Sequence, residues 1–180
     1  MKKKVFIGLG LGLGFIVFIF FPSCGWRLLP HSRQELIQRG FAGQQNFSVV
    51  TSSPQVTVQR LHEKSEEDSD FLTGYTKDAP LTLSPEQAQK VKDLLQSPSS
   101  YLWNMGSCLP HYGVLFDFQS DGHTVRVALC FKCKIIGIFE GEDDNARPIY
   151  GVTQFNPSYG QFVALCKTIF PNDKEIQALQ

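Results

Sequence analysis

No charge of one sign dominates this chain, which carries 17 Lys plus Arg against 17 Asp plus Glu. Nucleic-acid binding rests on basic contacts to phosphate, so the balance argues against a nucleic-acid partner. It argues equally against a basic patch on a membrane surface. Without Lys2, Lys3 and Lys4 the remainder is slightly acidic. No internal repeat is visible, and several familiar motifs fail by a residue. Gly8 and Gly10 begin a GxGxxG fingerprint, but Leu13 stands where its third glycine belongs. Cys130-x-x-Cys133 would hold covalent haem only with histidine next, and Lys134 is there. The acidic run 140–145 lacks the alternate-position ligands and closing glutamate of an EF-hand, so it reads as a solvated turn. The polar stretch from Glu63 to Asp70 reads the same way.

What is present begins at the start of the chain. Lys2 to Lys4 precede an apolar run from Val5 to Phe21, and Ser23-Cys24 follows. A basic start, an apolar core and a small residue before a cut site make an export signal. Residues 1–24 are therefore expected to be a signal or membrane-anchor segment. Residues 25–180 are expected to be one extracytoplasmic domain, best defined over 80–175. Three fates stay open for the segment: lipidation at Cys24, an uncleaved anchor, or simple secretion. Ser23-Cys24 resembles the end of a bacterial lipobox, although Pro22 departs from that pattern. The run falls a little short of the roughly 20 residues that cross a bilayer as a straight helix. Gly8-xxx-Gly12 and Gly10-xxx-Gly14 also fit a helix-dimer motif, but glycine is common in signal segments.

With ten of the chain's 15 Phe, the exported part can build one hydrophobic core. Ser32, with Glu35 as a capping box, opens a helix that buries Leu36 and Ile37 and stops at Gly40. Phe47–Val50 and Val56–Val58 read as short strands around Pro54. Ser84 as cap, Pro85 as first residue and Glu86 at the positive end predict a helix to about Gln96, with Ala88, Val91, Leu94 and Leu95 inward. Asp121-Gly122 predicts a hairpin turn. Setting that turn opposes Phe118 to Val125, Phe116 to Val127, Val114 to Leu129 and Tyr112 to Phe131, all apolar on apolar. A further strand is expected over Ile135–Phe139. Asn156 and Pro157 open a last helix that buries Phe162, Leu165, Cys166 and Ile169. The expected class is α+β, an antiparallel sheet with helices packed on one face.

Cys108-x-x-His111 followed by Cys130-x-x-Cys133 has the residue types of a Cys₃His zinc site. Extending the hairpin register opposes Pro110 to Cys133 and Gly113 to Cys130. Cys108 then lies diagonal to Cys133 on the apolar face, and His111 beside Cys130 on the other face. Residues i and i+3 of a straight strand face opposite ways, so Cys130 and Cys133 would converge on a metal only through a turn at Phe131-Lys132. Neither residue is a turn former. An oxidising compartment favours disulfides, so the expectation is a disulfide from Cys108 to Cys133 or to Cys130, without a cofactor. Free buried thiols, and zinc on Cys108, His111, Cys130 and Cys133, are the alternatives. A thioredoxin-like CxxC opens a helix, whereas this one lies in β-structure. Cys166 reads as core packing. His111, Asp117 and His123 make no triad with an identifiable serine, so no catalytic residue is assigned; a small envelope enzyme would need a pocket lined by them. Asn46-Phe47-Ser48 is a glycosylation sequon, relevant only to a eukaryotic secretory route.

The segments Cys108–Gly113, Leu129–Cys133 and Phe170-Pro171-Asn172-Asp173 together resemble a loose set of uncharacterised bacterial exported, lipoprotein-like proteins. That set carries a cysteine–proline–glycine strand, a CFxC strand and a C-terminal FPxD. The resemblance covers roughly residues 80–178. It implies a bacterial origin and shared cysteines, and no activity comes with it. The expectation is therefore a membrane-tethered cell-envelope protein with a non-catalytic binding or structural role. Its partners would be the membrane, through the segment or a lipid, and an envelope protein.

Overall fold

The structure, a computed structural model, describes residues 32–64, 72–102, 108–142 and 147–180. The expected export segment with Cys24, most of the polar stretch after Glu63, and residues 143–145 of the acidic run lie outside the described residues.

The described chain is α+β, built on a seven-stranded antiparallel sheet. Its strands are β1 (Val56–Glu63), β2 (Tyr75–Lys77), β3 (Leu81–Thr82), β4 (Val114–Ser120), β5 (His123–Cys130), β6 (Ile135–Glu140) and β7 (Arg147–Gln154). The order is β2-β1-β4-β5-β6-β7, with β3 also pairing β1. Asp121 and Gly122 turn β4 into β5 with φ of 51° and 74°, the positive values that a two-residue type I′ loop demands. The register is the expected one from Phe118↔Val125 to Val114↔Leu129.

The helices are α1 (Arg33–Glu35), α2 (Gln44–Ser52), α3 (Pro85–Gln96), α4 (Tyr159–Ile169) and α5 (Lys174–Ala178). α1 opens on the Ser32 cap and runs into a π-helical turn, Leu36–Gly40, closed by a bond from the Phe41 N–H to the Leu36 carbonyl. α3 has a full capping box, Ser84 with Gln87, and buries the four residues its spacing marks. The helix expected from Asn156 begins as a 3₁₀ turn at Asn156–Ser158, α4 buries Phe162, Leu165 and Cys166 with Ile169 only partly buried, and α5 follows it.

Phe47–Val50, expected as a strand, is the middle of α2. Tertiary burial overrides the β preference of its valines. At helical spacing Phe47 and Val50 face the sheet together, and Phe47 meets Phe41 edge to face at 5.4 Å. The amide of Asn46 donates to the Phe41 carbonyl, and Thr51, Ser52 and Ser53 donate to carbonyls of the helix itself. Asn46 is buried in this bond, which takes the sequon off the surface.

The two faces of the sheet differ. Val56, Val58, Val114, Phe116, Phe118, Val125, Val127 and Leu129 meet α2 to α5 in the main core. On the other face Leu115, Ala128, Cys130, Ile135 and Phe139 lie under a smaller cover that includes Leu72, Tyr75 and Tyr112. Tyr112 is thus not on the face of Phe131, which joins the main core. Ladder pairing ends at Val114↔Leu129, and below it the chain bends away from the extended register.

Candidate functional site

The most chemically loaded part of the molecule is the end of the β5–β6 hairpin, where the segment before β4 lies against it. The turn that Phe131-Lys132 was not expected to make is there, spanning residues 131–134. Its stability comes from tertiary contacts instead of turn propensity. Phe131 is buried against Phe155 and Tyr159, the Lys134 ammonium sits 4.6 Å over the Tyr159 ring, and the Phe155 N–H donates to the Lys134 carbonyl. Lys134 takes a φ of 55° to close the turn.

The turn brings Cys130 and Cys133 into one cluster on the second face, correcting the straight-strand reading. Cys108 and Cys133 form a disulfide with a Cα–Cα distance of 6.0 Å, inside the usual range. Of the two expected pairings this is the one formed, and Cys130 remains a buried free thiol. Its sulfur accepts two backbone N–H groups, from His111 and Cys133, each at 3.3 Å. The His111 backbone therefore lies beside Cys130, and its ring is engaged elsewhere.

That ring meets Glu63 at the end of β1, with Nδ1 2.9 Å from Oε2. Beside the pair opens a cavity of ≈ 460 Å³ lined in part by His62, Tyr75, Tyr112, Lys132 and Glu175. At its inner wall is Arg60, a buried cation on the helix face of β1. A buried charge is costly unless partnered, and Arg60 is well partnered. Its Nε donates to Asp173 at 2.5 Å, one terminal nitrogen to Glu175 at 2.9 Å, and the other to the Gly113 carbonyl. Asp173 also caps α5 by accepting the Ile176 N–H. Partial burial works to raise the Asp173 carboxyl, but the Ile176 N–H and the Arg60 guanidinium outweigh it and hold the group below the usual carboxylate range.

Tyr75 and Tyr112 lock the cover over the second face. The Tyr75 hydroxyl accepts the Tyr112 N–H at 3.0 Å, and Tyr112 meets Phe139 edge to face at 5.8 Å. A Cβ at Gly137 would collide with the Tyr112 ring, so the missing side chain there makes the seat for the tyrosine. Sequence reasoning passed over Arg60, Tyr75 and Gly137. The available signal was Arg60 at an inward position of an apolar alternation, in step with Val56 and Val58.

The zinc alternative needs Cys108, His111, Cys130 and Cys133 to converge. Cys108 and Cys133 are joined to each other, and the His111 ring is engaged by Glu63. Among the described residues no group of three or more His, Cys, Asp or Glu side chains is arranged to hold a metal ion. Asp117 faces Arg126 directly across β4–β5, with 3.1 Å between the carboxylate and Nε, and His123 is exposed beside Gln45. Neither lies with His111. Cys166 packs in the main core, where burial pushes its thiol up to about 12 while Arg60 pulls the other way.

These features define a class, a disulfide-linked α+β domain with a polar groove and a buried thiol beside its crosslink. No protein-family model, curated protein or solved structure matches the chain.

Proposed function

We propose that the chain is a membrane-tethered cell-envelope protein whose folded part works outside the cytoplasm as a non-catalytic binding or structural module. The observation that carries this reading is the Cys108–Cys133 disulfide. Such bonds persist in oxidising compartments, and the basic, then apolar, start of the sequence addresses the chain to one. The envelope partner would meet the groove beside His111 and Glu63, whose lining includes both ionic and apolar side chains.

Fractionation of a bacterial host expressing the full chain tests this. The protein should sediment with membranes, and external protease should digest it only once the outer barrier is opened. Cys24→Ser should release it into the soluble fraction if a lipid is the tether and leave it with membranes if the segment itself is. Recovery of the wild-type chain from the cytosol with Cys108 and Cys133 reduced would sink the proposal.

A further inference from the structure

Three cysteines meet at the end of the β5–β6 hairpin, and only two of them are joined. Cys130 is three residues from Cys133 across the 131–134 turn, and both belong to the cluster on the second face. The N–H of Cys133 points at the Cys130 sulfur from 3.3 Å. That nitrogen is three covalent bonds from the Cys133 sulfur, so the free thiol and the bonded one share the turn. The His111 N–H approaches the same sulfur at 3.3 Å, and together the two donors fix where it sits. Cys133 is half-buried, whereas Cys108 is exposed. The arrangement is thus graded from a buried thiol, through a shared central sulfur, to a sulfur at the surface.

We propose that Cys130 and the Cys108–Cys133 disulfide form a thiol–disulfide exchange site, in which Cys130 takes over Cys133 and releases Cys108 as a surface thiol. The Cys130 thiolate attacks Sγ of Cys133. The Cys130–Cys133 bond forms as the Cys108–Cys133 bond breaks, and the electron pair leaves on Cys108, which takes up the proton that Cys130 lost. One disulfide and one thiol stand on each side of the step, so no oxidant or reductant is consumed. The released Cys108 suits an exposed disulfide on a partner. Its attack there joins Cys108 to one partner sulfur and frees the other as a thiol. The turn itself need not unfold for the first step, because Phe131 and Lys134 are anchored on the opposite face, against Phe155 and Tyr159.

The test uses the full chain with native maleimide trapping, acid quenching and peptide mapping, alongside Cys130→Ser and Cys108→Ser. In the wild type, Cys108 should become labelled while a Cys130–Cys133 link accumulates. Labelling of Cys108 should be at least about tenfold slower in Cys130→Ser, whose hydroxyl still accepts both N–H groups. In Cys108→Ser, glutathione disulfide should close Cys130 and Cys133 into a bond. Equal labelling of Cys108 with and without Cys130, or two persistent thiols in Cys108→Ser after glutathione disulfide, would overturn the proposal. If Cys130→Ser does not fold, as judged by circular dichroism, the Cys108→Ser result decides alone. Because that arm supplies its own disulfide, it reads the exchange site even if fractionation places the protein in the cytosol.

Discussion

The two faces of the sheet are held by different means. On the helix face, valine, leucine, isoleucine and phenylalanine side chains from five strands meet four helices, and stability there scales with the apolar area removed from water. On the other face a smaller set of apolar residues is covered partly by short stretches of chain, a single 3₁₀ turn at Leu72–Gly74 and the residues near Tyr75 and Tyr112. Burial is supplemented there by the Cys108–Cys133 crosslink, the Tyr75–Tyr112 hydrogen bond and a glycine seat. An element too short to form a packed helix is held by a few specific contacts, and those contacts carry the reactive groups. The second face is where chemistry can be altered without dismantling the main core.

The largest expected effect lies on the helix face. Phe116 is fully buried between Val58 and Val127, and Phe116→Ala should cost about 3–5 kcal/mol in denaturant titration. A loss under about 1 kcal/mol would show that this core yields easily and would dissolve the contrast. Next comes the crosslink. Cys108→Ser removes a bond spanning 25 residues and should cost about 2–4 kcal/mol. Hydrogen exchange should quicken first over 108–113 and leave α3 protected; uniform quickening would mean that the two faces unfold as one.

The third prediction concerns the link from β1 to α5. The Asp173 carboxyl is held below its ordinary value, so its contribution to stability is full above the ordinary Asp range, about pH 4, and fades as pH falls through the lowered folded value. Asp173→Asn keeps a capping side chain but loses the charge beside Arg60. It should cost about 1–2 kcal/mol at neutral pH, with the difference from wild type vanishing on acidification. A constant difference down to about pH 2 would remove the Arg60 pairing as its cause. The smallest effect is expected from Tyr75→Phe, which leaves the Tyr112 N–H without its acceptor and should cost about 1 kcal/mol. A silent substitution would show that the tyrosine ring, and not its hydroxyl, holds the cover.

Much of the helix face was legible in the sequence because two local signals coincide there. The positive-φ pair Asp121-Gly122 and the alternation of Val114, Phe116 and Phe118 fix one register, and the structure has it. α3 was equally plain, since its cap, first-turn proline and apolar spacing all agree. What stayed hidden was decided by partners remote in sequence. Phe47–Val50 is helical because Phe41 and the sheet bury it, and the 131–134 turn exists because Phe155 and Tyr159 receive Phe131 and Lys134. The candidate site was half legible for the same reason. The Cys108–Cys133 bond was among the pairings foreseen, but the meeting of Cys130 with Cys133 depends on a turn without local turn chemistry.

The segment that runs beside the outer edge of β1 pairs as two short pieces, three residues in β2 and two in β3. Between them Asp78 still donates its N–H to the Arg60 carbonyl, but Ala79 and Pro80 interrupt the ladder, and proline offers no N–H to a newcomer. At the opposite margin Leu102 bonds both ways with Gln154 at the end of β7. A sheet of this width would invite end-to-end stacking of molecules wherever a long flat edge was left bare. A broken margin on one side and a bridged strand end on the other blunt that tendency, so crowding the protein at high concentration should favour separate molecules over fibrils.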